Sequence, residues 1–429
     1  MSTKELIVLL SGEEIGRTTQ NAQGRLQFTY NEAWRNKKDA YPLSLSMPLL
    51  DAEHGHNRIE PFLWGLLPDN SSILSQWGKR FQVSARNAFA LLSHVGEDCA
   101  GAVQFVRPER LEAVLTVKRG DVQWLDEEGV AERLRLLRAD QSAWRIGKDN
   151  GQFSLAGAQP KTALLFEKGR WGVPSGRIPT THILKPPNPN GQLDGFPENE
   201  HFCLEVARAL GLPTANSRVL RFEDEPAIVV ERYDRVRTAG GWGRIHQEDI
   251  CQALGVAPSR KYQDDGGPGA RTVVDLLNSS SSARNEDRDA FVHALVLNWL
   301  IAGTDAHAKN YSLLIAGEGR VRLAPLYDVA SVLPYPQFDL HKVKLAMKIG
   351  GKYKIWDVGI REWSKLAAEL RMDEAALIEG IAGMAREMPD RVAEIAREMT
   401  NAGLKHPVIG RLSTRMIARA RLCLKQFGT

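Results

Sequence analysis

The amino-acid sequence predicts an α+β fold, with sheet in its first half and helices in its second. Three observations carry that expectation. Short runs of alternating apolar and polar residues crowd the first 235 positions, as in Leu26-Gln27-Phe28-Thr29-Tyr30. Longer apolar stripes at helical spacing fill the chain beyond Asn285. Composition is that of a folded chain: 25% charged, 43% hydrophobic, and 429 residues, enough for two or three domains.

The formal charge of +4 arises from 56 basic and 52 acidic residues that are interspersed, so it neither demands nor forbids a nucleic acid or an acidic partner. Cys99, Cys203, Cys251 and Cys423 stand far apart and lack metal-ligand spacing, which predicts buried thiols in a reducing compartment. No apolar run approaches about 20 residues, and no basic-then-apolar leader opens the chain. A cytoplasmic protein with no membrane span is expected.

Residues 1–110 predict a small antiparallel sheet. Glu5 to Leu10 is a strand, Ser11-Gly12 a turn, and Gly24 to Tyr30 a strand with one wet face. Asn87 to Leu92 reads as helix and Cys99 to Val106 as a returning strand, and His94 is a lone structural histidine. No catalytic constellation occurs here, and a regulatory or partner-binding module suits the segment.

Residues 111–235 carry the first candidate site groups. Asp126 to Leu137 predicts a short helix. In Phe153-Ser154-Leu155-Ala156-Gly157-Ala158-Gln159-Pro160-Lys161, small residues allow a backbone to approach phosphates, and Lys161 adds charge. The string matches neither common Gly-rich phosphate motif, so a tight hairpin remains open. Thr180 to Lys185 is a strand ending in lysine, a candidate partner for nucleotide phosphates. A carboxylate from the helix opened by Glu198-Asn199-Glu200 could support it; Glu205 also qualifies, and Glu200, in the first turn, is favoured. Strands at Ser217 to Phe222 and Ala227 to Tyr233 follow. The second leads into a linker where Glu231, Arg232 and Tyr233 are candidates for an adenine edge, with Asp234 holding ribose or the chain itself.

Residues 236–429 predict a mainly helical lobe. Ile245 to Gln252 reads as a helix that Gly255 stops, and Lys261 to Gly269 is a dense turn. Ser279 to Ser282 reads as a loop and the charged run from Asn285 leads to a helix over Ala290 to Ile301. Helices are expected at Glu362 to Leu370, Asp373 to Met388, Pro389 to Met399 and Ser413 to Leu424. Basic residues gather at the end: Lys405, Arg411, Arg415, Arg419, Arg421 and Lys425, on a solvated face or toward nucleic acid.

Between these helices lies Asp305-Ala306-His307-Ala308-Lys309-Asn310, then two strand-like runs around Gly317-Glu318-Gly319, then Asp328. If the runs form a hairpin, Asp305 and Asn310 precede its first strand and Asp328 follows its second. An aspartate, an asparagine five residues on and an aspartate after a hairpin is the protein-kinase spacing: Asp305 receives the substrate hydroxyl, and Asn310 and Asp328 bind metal. The order sheet, lysine, helix, sheet, linker and helical lobe predicts a bilobal protein-kinase-like fold with a β-rich N-terminal subdomain.

The strings from Phe153 to Leu164, Thr180 to Lys185, Val230 to Arg235, Gly266 to Gly269 and Thr304 to Asn310 occur in the order seen in HipA toxins, which the chain resembles over nearly its whole length. The resemblance implies a serine/threonine kinase of a type II toxin–antitoxin module, using ATP and Mg²⁺. It implies catalytic Asp305, metal ligands Asn310 and Asp328, the phosphate lysine Lys185, and nucleotide contacts from Ala156 to Gln159, Lys161, Glu231 to Asp234, His307 and Lys309. Ser154 matches the serine whose autophosphorylation silences the enzyme. The implied partners are a small helix-turn-helix antitoxin of the HipB kind, operator DNA through that complex, and glutamyl-tRNA synthetase as substrate. Pro160 stands where the family often has glutamate and Ala306 where it often has glycine, which touches regulation and target choice. A silent corepressor scaffold, or a small-molecule or lipid kinase, is the alternative.

Overall fold

The computed structural model describes residues 4–116, 122–143, 153–188, 191 and 193–427. The chain divides into two compact units. The first comprises Met1–Pro189, Leu220–Ser259 and Ser312–Val321, and the second Asn190–Val219, Arg260–Tyr311 and Arg322–Thr429. Among the described residues no helix is long and apolar enough to cross a membrane, and all four cysteines are free and buried.

The first unit begins with the expected antiparallel sheet, in the order Glu53–Gly55, Leu26–Tyr30, Glu13–Gln20, Lys4–Leu10, Val103–Val106. Alternation along these strands turns Leu6, Val8, Leu10, Phe28 and Tyr30 toward a core closed by Phe62, Leu63, Leu91 and Leu92. Those four come from helices His56–Gly65 and Ala88–Val95. A six-stranded sheet follows, ordered Ser217–Phe222, Glu225–Glu231, His182–Lys185, Thr162–Glu167, Arg170–Pro174, Val122–Leu125. Its two faces have different occupants. Ala163 and Ile183 pack into the core of the N-terminal sheet, whereas Leu164 and Leu184 pack with Val130 and Leu134 of helix Glu127–Ala139. Being covered on both sides explains why these strands read as nearly continuous apolar runs.

One expectation in this unit fails. Ile245 to Gln252 is not one helix: His246–Asp249 is a strand paired with Ser312–Ile315, and only Ile250–Leu254 is helical. His246 and Glu248 turn inward, so period two wins over the helical reading. Asp249 and Gln252 then form a capping box that starts the short helix, and Gly255, at φ 66°, ends it. The strand at Ser312–Ala316 also pairs with Arg320–Leu323, giving the expected hairpin.

The second unit is helical: Phe196–Ala209, Ala270–Ser280, Arg284–Ile301, Ile360–Leu370, Glu374–Asn401 and Pro407–Lys425, with a hairpin at Lys344–Ile349 and Lys352–Lys354. Trp299 and Trp363, both fully buried, meet edge to face at 5.7 Å. The break expected at Pro389 is absent, because Leu377, Ile381, Ala385, Met388, Val392, Ile395 and Met399 continue one buried stripe through it. Packing along that stripe outweighs the missing N–H. Of the expected loop at 279–282, Ser279 and Ser280 end helix Ala270–Ser280, and the charged run at 285–289 lies inside helix Arg284–Ile301, which starts earlier than Ala290. The terminal basic cluster is partly spent internally: Arg419 donates to the Trp299 carbonyl at 2.8 Å and Arg415 to the Leu333 carbonyl at 2.8 Å.

Candidate active site

Each unit supplies part of the candidate machinery. In the second, helix Arg284–Ile301 ends on Ala302 in the left-handed region, φ 52°, and Gly303 N–H donates to the Asn298 carbonyl at 2.7 Å. A Cβ at Gly303 would press on the Asn298 side-chain amide, which would have to shift to admit it. The loop that follows closes on itself. Its Asp305 carbonyl accepts His307 N–H at 2.8 Å and the Asn310 Nδ2 at 2.7 Å, and Asn310 N–H reaches the His307 carbonyl at 2.9 Å. Two neighbours brace it: Ala308 N–H donates to the Lys261 carbonyl at 3.2 Å, and the Tyr327 hydroxyl to the Lys309 carbonyl at 2.8 Å.

The consequence is a division of roles by exposure. The Asp305 side chain is 70% exposed, while those of His307 and Lys309 are buried. Tyr262 donates a hydrogen bond to Asp305 Oδ1 and meets the His307 ring edge to face at 4.8 Å; His307 Nε2 lies 3.8 Å from Asp305 Oδ1. Anchoring Asn310 through its nitrogen assigns its oxygen to the outward role. Asp328 has φ 53°, a conformation costing a non-glycine residue of order 1 kcal/mol. The segment after it is pinned: Asn199 exchanges bonds with Ser331, Nδ2 to carbonyl at 2.8 Å and N–H to Oδ1 at 3.0 Å, and the Ser331 hydroxyl donates to the Ile301 carbonyl at 2.6 Å. Asn310 and Asp328 offer oxygen donors, the kind Mg²⁺ takes, and one or two protein ligands leave positions for phosphate and water. The residues therefore fit the metal.

Glu200 belongs to the same unit, buried on helix Phe196–Ala209. The helix starts earlier than expected, with Gly195 in the left-handed region and Pro197 in its first turn, so Glu200 is its fifth residue and Glu198 holds the first-turn place.

In the first unit, Lys185 ends the central strand His182–Lys185, opposite Ile228, and is buried at 5% exposure. The loop of residues 153–161 lies against the N-terminal sheet module. Phe153 bridges to Asp98 and Gly157 to Pro68, and Phe153 and Leu155 enter the module's core. Ser154 is 1% exposed; its hydroxyl donates to the Leu66 carbonyl at 2.7 Å and its N–H to the Asp98 carbonyl at 3.0 Å. Lys161 Nζ crosses Gly157, φ 102°, to donate to the Ala156 carbonyl at 2.6 Å. Ala158 is the exposed tip and Gln159 half-buried beside it.

The linker candidates behave differently from expectation. Arg232 N–H is donated to the Thr181 carbonyl at 2.9 Å, so it is not available to an adenine edge. Its guanidinium binds Asp234 at 2.8 Å, and Asp234 also accepts Gly101 N–H at 2.6 Å. Asp234 thus holds the chain rather than a ribose; Glu231 and Tyr233 keep the adenine expectation. Sequence reading missed the centre of this cluster, Asp98, which binds Arg235 at 2.9 Å, Arg244 at 3.2 Å and the Thr180 hydroxyl at 2.7 Å. Burial alone would raise the Asp98 carboxyl, but the three guanidiniums and Thr180 hold it far below the usual range. Burial is also the main force on Arg235, pushing it down to about 10. A lone aspartate in Gly-Glu-Asp-Cys gives no pattern by which to find it.

Comparison with known proteins gives this arrangement a family. The HipA N-terminal domain matches residues 6–106 and the HipA-like C-terminal domain residues 153–402. The Sinorhizobium fredii protein Y4mE is 34% identical over 425 residues, 98% of this chain and 99% of the relative. The serine/threonine-protein kinase toxin HipA of Shewanella oneidensis is 30% identical over 383 residues, covering 85% of this chain and 83% of the relative. The structure of Shewanella oneidensis HipA with HipB and operator DNA aligns with a TM-score of 0.83 at 26% identity, covering 99% of this chain and 98% of that one. The kinase-like α+β fold expected from the sequence is thus present. With both halves matched in order, the chain belongs to the HipA family, a family with a kinase toxin among its members.

Proposed function

We propose that this protein is an ATP-dependent serine/threonine kinase acting as the toxin of a toxin–antitoxin module. The observation that carries the reading is the self-closed loop 305–310, which exposes the Asp305 carboxylate while fixing Asn310 by its nitrogen. When bound, ATP with Mg²⁺ supplies the transferable phosphoryl group and the positive charge that offsets its oxygens. Asp305 accepts the proton of the incoming serine hydroxyl as that oxygen bonds to phosphorus and the bond to the nucleotide diphosphate breaks. Asn310 Oδ1 and the Asp328 carboxylate hold the metal, and Lys185 offsets phosphate charge. Ala156 to Gln159 and Lys161 approach the phosphates, Glu231 and Tyr233 the adenine edge, and His307 and Lys309 shape the loop behind Asp305.

Ser154 is the self-inactivation site: a dianionic phosphoserine cannot occupy the buried place where its hydroxyl now meets the Leu66 carbonyl. The partner is a helix-turn-helix antitoxin, with operator DNA bound through the complex that represses the operon. The protein substrate is glutamyl-tRNA synthetase, whose phosphorylation stops translation. The test is mass spectrometry of the purified protein and of the synthetase after incubation with ATP and Mg²⁺. Phosphate on Ser154 and on the synthetase is expected from wild type and from neither in Asp305→Ala; phosphorylation by Asp305→Ala would sink the assignment.

A further inference from the structure

The turn at residues 260–269 is built with more care than a connection needs. The Tyr262 carbonyl accepts Asp265 N–H at 3.1 Å and Gly267 N–H at 2.9 Å, and a side chain at Gly267 would collide with the Arg260 carbonyl. Gly266 adopts φ 80°, which the turn requires. The turn is also tied outward: Gln263 Oε1 accepts Lys348 N–H at 2.7 Å, Asp264 pairs with Lys344 at 3.1 Å, and the Lys261 carbonyl holds Ala308 N–H at 3.2 Å. These bonds engage the Tyr262 carbonyl within the turn and anchor its two sequence neighbours, Lys261 and Gln263, outside it. Its side chain runs to Asp305 Oδ1, with its ring against buried His307.

A carboxylate that is 70% exposed on a loop would otherwise turn among its rotamers. We propose that Tyr262 is a positioning residue: its hydroxyl holds Asp305 Oδ1, which aims Oδ2 at the substrate hydroxyl. This rests on the reading of Asp305 as the group that receives that hydroxyl. Preorganising a reacting group in one geometry lowers the barrier without tightening nucleotide binding. The turn thus has a catalytic purpose that its Gly-Gly-Pro-Gly string does not reveal.

The test compares wild type, Tyr262→Phe, Asp305→Asn and Asp305→Ala, each checked for an unchanged melting curve. Tyr262→Phe keeps the ring contact with His307 and removes only the hydroxyl. With casein and with the protein itself as phosphoryl acceptors, its kcat is expected to fall about 10-fold while KM for ATP stays within about twofold. A second readout needs no nucleotide: nitration of Tyr262, followed by peptide mass spectrometry, is expected to rise several-fold when Asp305→Ala removes its acceptor. Wild-type kcat in Tyr262→Phe, a loss confined to KM for ATP, or unchanged nitration would each overturn the proposal. If Asp305→Asn itself retains transfer, the underlying reading of Asp305 fails instead, and the positioning role falls with it.

Discussion

Two irregular segments carry the candidate chemistry, and they are held in opposite ways. The loop at 305–310 is closed by its own groups, with the Asp305 and His307 carbonyls accepting bonds from within the loop. The loop at 153–161 borrows its partners from residues 66–69 and 98 of the N-terminal module. A loop closed mainly by its own groups, with Lys261 and Tyr327 of the same unit bracing it, keeps its shape as long as that unit stands. A loop that lies on another surface keeps its shape only while that surface accepts it. The 305–310 loop is therefore the fixed one of the two, and the regulation proposed at Ser154 would act on a loop whose contacts lie on the N-terminal module.

The largest effect is expected from breaking the fixed loop. Asn310→Ala removes the bond to the Asp305 carbonyl together with the proposed metal ligand, and kcat should fall by at least about 10²-fold. Hydrogen exchange should rise across 305–311 and stay unchanged across 153–160. Ser154→Asp should do the reverse. It places a charge in a buried site facing the Leu66 carbonyl, at the C-terminal end of helix His56–Gly65, where the helix dipole disfavours an anion. Exchange across 153–160 should rise about tenfold or more while 305–311 is protected as before, whereas Ser154→Ala should cost only about 1 kcal/mol. Equal exchange in both loops for either charged or metal-site variant would remove the distinction.

Behind the fixed loop, Asn199 makes bonds to Ser331 in both directions and one to the Tyr335 hydroxyl at 3.1 Å, fully buried. Asn199→Ala should destabilise the protein by about 2–3 kcal/mol, read by denaturant unfolding, since several polar groups lose partners at once. Activity should fall with the position of Asp328 rather than with ATP binding.

The difference between the loops also governs what could be read from the sequence. The hairpin between Asn310 and Asp328 was legible because its two apolar runs flank a Gly-Glu-Gly turn, and that local spacing is what singled out Asp305, Asn310 and Asp328 as candidates. Strands such as His182–Lys185 were legible through apolar content and flanking prolines. Long-range partners were not: Asp98 meets Arg235 and Arg244 across more than a hundred residues, and no period marks that. Arg232 was a candidate for the adenine edge and Asp234 for ribose or the chain itself because they follow a strand; they pair with each other, and Arg232 also lies 3.6 Å from Asp98. The strand at His246–Asp249 was mistaken for helix because its inward residues are a histidine and a glutamate, which hydropathy counts as outward.

Those two inward residues give the smallest and most specific test, because the segment they bond shares a core, through Leu43 and Met47, with Phe153 and Leu155 of the second loop. His246 Nε2 lies 2.9 Å from the Leu43 carbonyl, and Glu248 Oε1 accepts Leu45 N–H at 2.8 Å, fastening residues 43–47 of the N-terminal module. Burial raises the Glu248 carboxyl from 4.5 to about 8 and lowers His246 from 6.5 to about 4. For Glu248 the folded pKa is the higher one, so its contribution is complete below 4.5 and is lost as pH rises through about 8. For His246 it is the lower one, so its contribution is complete above 6.5 and is lost as pH falls through about 4. Glu248→Gln keeps an oxygen for Leu45 N–H but has no proton to lose. The drop in Tm between about pH 5 and about pH 9 should shrink by a few degrees in the variant, with the acid limb set by His246 left in place. Exchange at 153–160 should follow the same alkaline limb in wild type and lose it in Glu248→Gln, while 305–311 follows neither. An alkaline limb that survives the substitution would place the titrating group elsewhere and uncouple the module's anchor from the loop it carries.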